Sequence, residues 1–169
     1  ESRASLKPVF KKGGVVTAGN ASGLNDGAAA VVMTNAKTAA EQQLKVLGRV
    51  VSYAFAGVAP NVMGLGPIPA VKEALAKANL TIADLDLIES NEAFAAQALA
   101  VAKDLGLANE KTNPNGGAIA MGHPVGATGA ILTVKVLYEL ERINGRYGMV
   151  TMCIGGGQGI ALIIERPQA

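Results

Sequence analysis

The sequence has 169 residues, half of them apolar and only 17% charged, with a mean hydropathy of +0.31. That suits one domain with a real core and excludes disorder as the main state. Fifteen Lys and Arg against 13 Asp and Glu leave +2, too weak and too dispersed for nucleic-acid binding; Lys7, Lys11 and Lys12 read as a solvated face.

In chain order, Glu1 to Val16 reads as an irregular arm and Thr17 to Gly23 as a small polar loop. Ala28 to Met33 is an apolar run that predicts a short buried strand. An exposed helix follows from Asn35 to Lys45, capped by Thr34 or Asn35, and then a strand over Val46 to Tyr53. Pro69 falls in the first turn of a helix running to Ala78, with Val71, Leu75 and Ala78 on one face. Thr81 to Asp84 predicts a short helical turn, and Leu85 to Glu89 a strand. Asn91-Glu92 opens a helix that Gly106 ends, and Ala108 to Pro114 is a loop. Ala127 to Ile143 is apolar almost all round and so predicts a buried helix. Two strands, Gly148 to Ile154 and Ile160 to Glu165, are joined by Gly155-Gly156-Gly157-Gln158-Gly159. The alternation indicates an α/β fold.

One cysteine, Cys153, excludes an internal disulfide framework and a multi-Cys zinc site, and one histidine, His123, disfavours any protein metal site. No run of 18 apolar residues is present, so no membrane-spanning helix and no membrane partner are expected. The N-terminus carries no signal-peptide pattern, and the expected location is cytoplasmic. The sequence starts at Glu1 rather than Met, an expectation of further chain upstream.

The glycine-rich stretch from Gly122 to Gly129 is not a phosphate-binding loop, because no Gly-Lys-Ser/Thr follows. His123 lies between Gly122 and Pro124, near the start of the apolar helix, where the positive helix end disfavours imidazolium. A histidine held neutral suits general-base work, although a lone His is more often structural. Cys153 ends an apolar strand before the glycine turn, either as a small buried hydrophobe or as a thiol beside backbone N–H groups. Asn91 ends a strand, where it either caps a helix or faces a ligand. Together Asn, His and Cys at element ends point to acyl transfer involving a thiol.

Three blocks resemble the C-terminal signatures of the thiolases: Asn91-Glu92-Ala93-Phe94, Asn115 to Pro124 with its Gly-Gly-Ala-Ile-Ala-Met-Gly-His core, and Cys153-Ile154-Gly155-Gly156-Gly157. The loop Thr17 to Ala28 is also similar to the family's, and the likeness is strongest to its short-chain, acetyl-CoA acetyltransferase branch. The resemblance implies a thiolase-like α/β fold, of which this chain holds the C-terminal βαβαβαββ half with a mixed sheet and a buried central helix. Its divisions would be 1–23 as the end of the CoA-binding loop region, 24–45 as a remnant of the N-terminal domain, and 46–169 as the C-terminal domain.

It also implies reversible Claisen condensation of two acetyl-CoA to acetoacetyl-CoA and CoA through an acyl-cysteine, with longer-chain 3-ketoacyl-CoA thiolysis or a non-catalytic fragment as alternatives. By resemblance, His123 activates the nucleophilic cysteine, Cys153 is the acid–base cysteine, Asn91 holds a water at one oxyanion site, and the Gly155 N–H serves a second. Ser22 and Ala18, with Leu24 on the same loop, would line the pantetheine arm. Met63 and Phe94 would wall the acyl pocket, and Phe10 and Leu6 would lie near CoA. No cofactor is implied, since coenzyme A is part of the substrate. The implied partners are the acyl-CoA substrate, a complementary N-terminal thiolase chain that carries the acylated nucleophile, and further copies in a dimer or tetramer of full protomers. Pro114 stands where the family often has Val, and Ala127-Thr128 where it often has Ala-Ser; neither removes a catalytic group.

Overall fold

A computed structural model describes residues 5–167. Helix α1 (Ala36–Glu41) opens the regular structure, followed by β1 (Arg49–Gly57), α2 (Pro67–Ala78), β2 (Leu87–Ser90), α3 (Ala95–Leu105), α4 (Ala118–Met121), α5 (Thr128–Ile143), β3 (Tyr147–Ile154) and β4 (Gln158–Glu165). Short 3-10 segments lie at Pro60–Leu65, which kinks at Val62, and at Ile82–Asp84 and Asn109–Lys111. The strands form one mixed sheet in the order β1-β4-β3-β2, with β2 parallel to β3 and the other pairs antiparallel. No helix among the described residues is long and apolar enough to cross a membrane.

The inner strands are buried on both faces, as a sheet covered on two sides requires. Successive residues point to opposite sides. Ile88, Met149 and Ile163 join Val71, Ala74 and Leu75 of α2 in one core, while their neighbours Leu87, Val150 and Ile164 join Leu132, Val136 and Leu140 of α5 in the other. Left-handed residues end three helices: Asn79 after α2, Gly106 after α3 and Asn144 after α5. Asn35 caps α1 as expected, its side chain accepting from the Thr38 N–H at 2.9 Å.

Several elements differ from the sequence reading. Ala28 to Met33 is not a strand: it is irregular and exposed, with Val32 96% accessible, because no described strand lies beside it to pair with. Helix α1 stops at Glu41, with Gln43 at φ 53° breaking the turn before Lys45. Helix α3 starts at Ala95 with Phe94 as N-cap, so Asn91 and Glu92 precede it. Helix α2 begins at Pro67, two residues before Pro69. The third strand of the βαβαβαββ order is reduced to one parallel bridge, Thr112 to Ile88, because the left-handed Asn113 turns the chain away. Helix α5 buries only one stripe within this chain; Ile131, Val134 and Leu137 are half-buried and Tyr138 is exposed.

The start of α2 is fixed by close backbone approach. A Cβ on Gly159 would overlap the backbone of Gly66, and one on Gly66 would overlap Gln158. With backbone on both sides, neither neighbour can yield. Gly159→Ala in the complete protomer is expected to cost about 2–3 kcal/mol, read as a lower denaturation midpoint at unchanged slope. A midpoint equal to the parent's would show that the two segments move apart freely.

Candidate active site

The site forms where β2 and β3 end. The Asn91 N–H donates to the Thr151 carbonyl at 2.9 Å, which extends the β2–β3 pairing and sets Asn91 beside β3, two residues from Cys153. Ligands gather at such carboxyl ends of parallel strands. Asn91 is 2% and Cys153 6% exposed. His123 reaches the same place from the glycine-rich strap between α4 and α5. Gly122 makes that approach possible: its φ is +97°, and a Cβ there would press on the Asn25 side chain.

The imidazole is held at both nitrogens. Nδ1 lies 2.7 Å from the Thr128 hydroxyl and Nε2 lies 3.3 Å from the Asn91 amide nitrogen. Thr128 donates its own proton to the Pro124 carbonyl at 3.0 Å, so it accepts from His123 Nδ1–H. The network therefore assigns the neutral tautomer with a bare Nε2, which accepts from Asn91. Burial lowers the His123 pKa below the ordinary imidazole value, which favours this neutral form. Burial raises that of Cys153, so it stands as a thiol at neutral pH. Two residues on, Gly155 sits exposed in a turn pinned by Val58 N–H to the Gly157 carbonyl at 2.7 Å.

The polar loop expected near CoA docks onto the segment between β2 and α3. The Ser22 N–H and hydroxyl both reach the Ala93 carbonyl, at 3.0 and 3.1 Å, and the Ala95 N–H donates to Asn20 at 2.9 Å. Leu24 forms a parallel bridge with His123, and the His123 N–H donates to the Asn25 side chain at 3.1 Å. Phe10 meets Phe94 edge to face with ring centroids 5.8 Å apart. Direct contacts thus pair Ser22 with Ala93, Leu24 with His123 and Phe10 with Phe94. Met63 is half-buried in the Pro60–Leu65 segment, which packs on α3. Ala18 and Leu6 lie on the surface of the arm and loop. A cleft of about 300 Å³ runs beside Asn91 and Thr128, with Gly117 and Lys135 on its wall.

Sequence reasoning missed the residues that hold the site together. Thr128 was read only as a variation on the family pattern, yet it fixes the His123 tautomer. Asn113 clamps β2, accepting from Ser90 N–H at 2.9 Å and donating to the Ser90 carbonyl at 2.8 Å. Glu92 accepts from Ile119 N–H and Asn113, both at 3.2 Å, and fills the space a Cβ on Gly117 would need. A signal for two more was present: Glu89 interrupts an apolar strand and Lys135 an apolar helix, and the two meet at 2.7 Å.

A family profile described as "Thiolase, C-terminal domain" matches residues 44–166, and "Thiolase, N-terminal domain" matches residues 1–37. The chain belongs to the thiolase family. It is 62% identical over 167 residues to the "Beta-ketothiolase BktB" of Cupriavidus necator and 55% identical over 166 to an "Acetyl-CoA acetyltransferase" of Escherichia coli. Each match covers 98% of this chain and 42% of the relative, so this thiolase chain spans under half the length of those proteins. Among solved structures it superimposes on the Bacillus anthracis acetyl-CoA acetyltransferase with a TM-score of 0.96 at 51% identity, and on the human mitochondrial 3-ketoacyl-CoA thiolase with 0.91 at 46%. Both superpositions cover 98% of this thiolase chain and 42% of the other.

Proposed function

We propose that this chain supplies the acid–base half of a thiolase active site, for reversible condensation of two acetyl-CoA to acetoacetyl-CoA and CoA. The observation that carries the reading is the bare Nε2 of His123, held between Thr128 and Asn91 at the strand ends beside Cys153. His123 Nε2 takes the proton of a nucleophilic cysteine on the N-terminal portion of the protomer, and the thiolate attacks the thioester carbonyl. CoA leaves as its thiol by taking the proton of the Cys153 thiol, so an acyl-cysteine and a Cys153 thiolate remain. That thiolate removes an α-proton from the second acetyl-CoA, whose carbanion attacks the acyl group and releases the nucleophilic cysteine, which recovers its proton from His123. In thiolysis the Cys153 thiol returns that proton to the departing carbanion.

Asn91 and His123 polarise one thioester oxygen through a water, and the Gly155 N–H stabilises the other oxyanion. Ser22, Ala18 and Leu24 contact the pantetheine arm, Phe10 and Leu6 flank CoA, and Met63 and Phe94 bound the acyl group. Coenzyme A enters and leaves as substrate, with no further cofactor. The same reading carries a homo-oligomer of complete protomers in the cytoplasm; the exposed Val32 and Met33 and the half-buried outer face of α5 suit cover by the N-terminal portion. The names of the relatives favour acetyl groups, although one at 55% identity is a "3-oxoadipyl-CoA/3-oxo-5,6-dehydrosuberyl-CoA thiolase" of Escherichia coli.

The test is CoA-dependent cleavage of acetoacetyl-CoA by the complete protomer, this segment together with its N-terminal portion. Turnover supports the reading, and none at any 3-ketoacyl-CoA length refutes it. The rate of acyl-cysteine formation should follow neutral His123. Because burial lowers its pKa, the acid limb should have its midpoint below about 6.5, with activity present above it and lost as pH falls through it. A midpoint above that value would contradict a buried neutral imidazole.

A further inference from the structure

The reaction above leaves the most deeply buried charged residue unused. Glu89 is wholly inaccessible on β2, and its Oε2 accepts from Lys135 Nζ of α5 at 2.7 Å. Its Oε1 has no partner among the described residues, and burial pushes its pKa up against the pull of Lys135. Such a pair is a poor device for stability alone, since apolar residues of similar volume often serve as well or better. Its placement suggests another use.

Glu89 stands two residues before Asn91, on the same side of the strand path, and Lys135 stands seven residues after Thr128, two turns along one helix face. The same two elements are therefore joined by two rungs. One is Asn91–His123–Thr128; the other is Glu89–Lys135. Lys135 also donates to the Gly116 carbonyl at 2.8 Å, just ahead of α4, which leads into the strap that carries His123. Glu92 holds α4 itself by accepting from the Ile119 N–H.

We infer that Lys135 and Glu89 are positioning residues that set the separation of β2 from α5, and with it the contact between Asn91 and His123. That contact is 3.3 Å long, so a shift of a few tenths of an ångström takes it beyond hydrogen-bond range. The inference rests on the proposed thiolase reaction for its kinetic consequence, but not for its spectroscopic one.

The experiment is Lys135→Met in the complete protomer, read by steady-state thiolysis and by the imidazole 15N shifts of His123, assigned through their loss in His123→Ala. The expected result is a kcat about 10- to 100-fold lower per acylatable site, with KM for acetoacetyl-CoA within about twofold. The Nε2 shift should move as its bond from the Asn91 amide is lost, while Nδ1, still donating to Thr128, stays protonated. Lys135→Arg, which keeps the cation, should recover most of the kcat. A wild-type kcat per site with unchanged His123 shifts overturns the inference, and so does a loss that follows only the folded fraction. If Lys135→Met does not fold, Glu89→Gln keeps the buried shape without the charge and should give the same split; an unchanged Glu89→Gln then overturns it. If the parent protomer shows no thiolysis, the proposed function fails, while the Nε2 shift still decides the positioning role.

Discussion

Replacing His123 by alanine in the complete protomer is expected to slow acyl-cysteine formation by about 10²–10⁴-fold, the range of a lost general base. The loss should appear in the first half-reaction, because Nε2 is the bare nitrogen, accepting from the Asn91 amide, and is the ring atom able to take a cysteine's proton. Rapid quench after mixing with acetyl-CoA measures it directly. CoA binding should change little, since the contacts proposed for the pantetheine arm come from the loop around Ser22, which is anchored on Ala93 and not on the imidazole. Normal acylation by His123→Ala would remove the basis of the proposed chemistry.

Cys153→Ser is expected to divide the reaction at its other half. Acylation should proceed within several-fold of the parent rate, while deuterium exchange at the acetyl methyl group falls by about 10²–10⁴-fold. Serine preserves the shape of this nearly inaccessible position at the end of β3, so the effect should be chemical and not a failure to fold. A hydroxyl is a far weaker acid than a thiol, even one whose pKa burial has raised, and it cannot supply the anion that removes an α-proton. Rapid condensation by Cys153→Ser would refute the acid–base assignment.

Much of this architecture was legible in the sequence, for identifiable reasons. The strands around Met149 and Ile163 and the helix through Leu132 and Val136 carry apolar residues at the period their elements need, and Gly106 and Asn144 mark helix ends by left-handed backbone. The run from Ala28 to Met33 was misleading because an apolar strand is defined by its partner, and no described residue provides one. Asn91 looked like a helix start because Asn caps helices, yet its backbone continues the sheet to Thr151 and its side chain serves His123. His123, Asn91 and Cys153 could be selected by residue type and block order. Thr128 and Lys135 could not: their importance depends on which side of α5 meets β2 and the glycine strap.

The division of labour between two cysteines is the centre of the account, and acid-quenched peptide mapping of the complete protomer after exposure to acetyl-CoA tests it most directly. One acetyl group is expected on a cysteine of the N-terminal portion, with the Cys153 peptide unmodified. An acetyl group on Cys153 would make it the nucleophile and contradict the acid–base role assigned here.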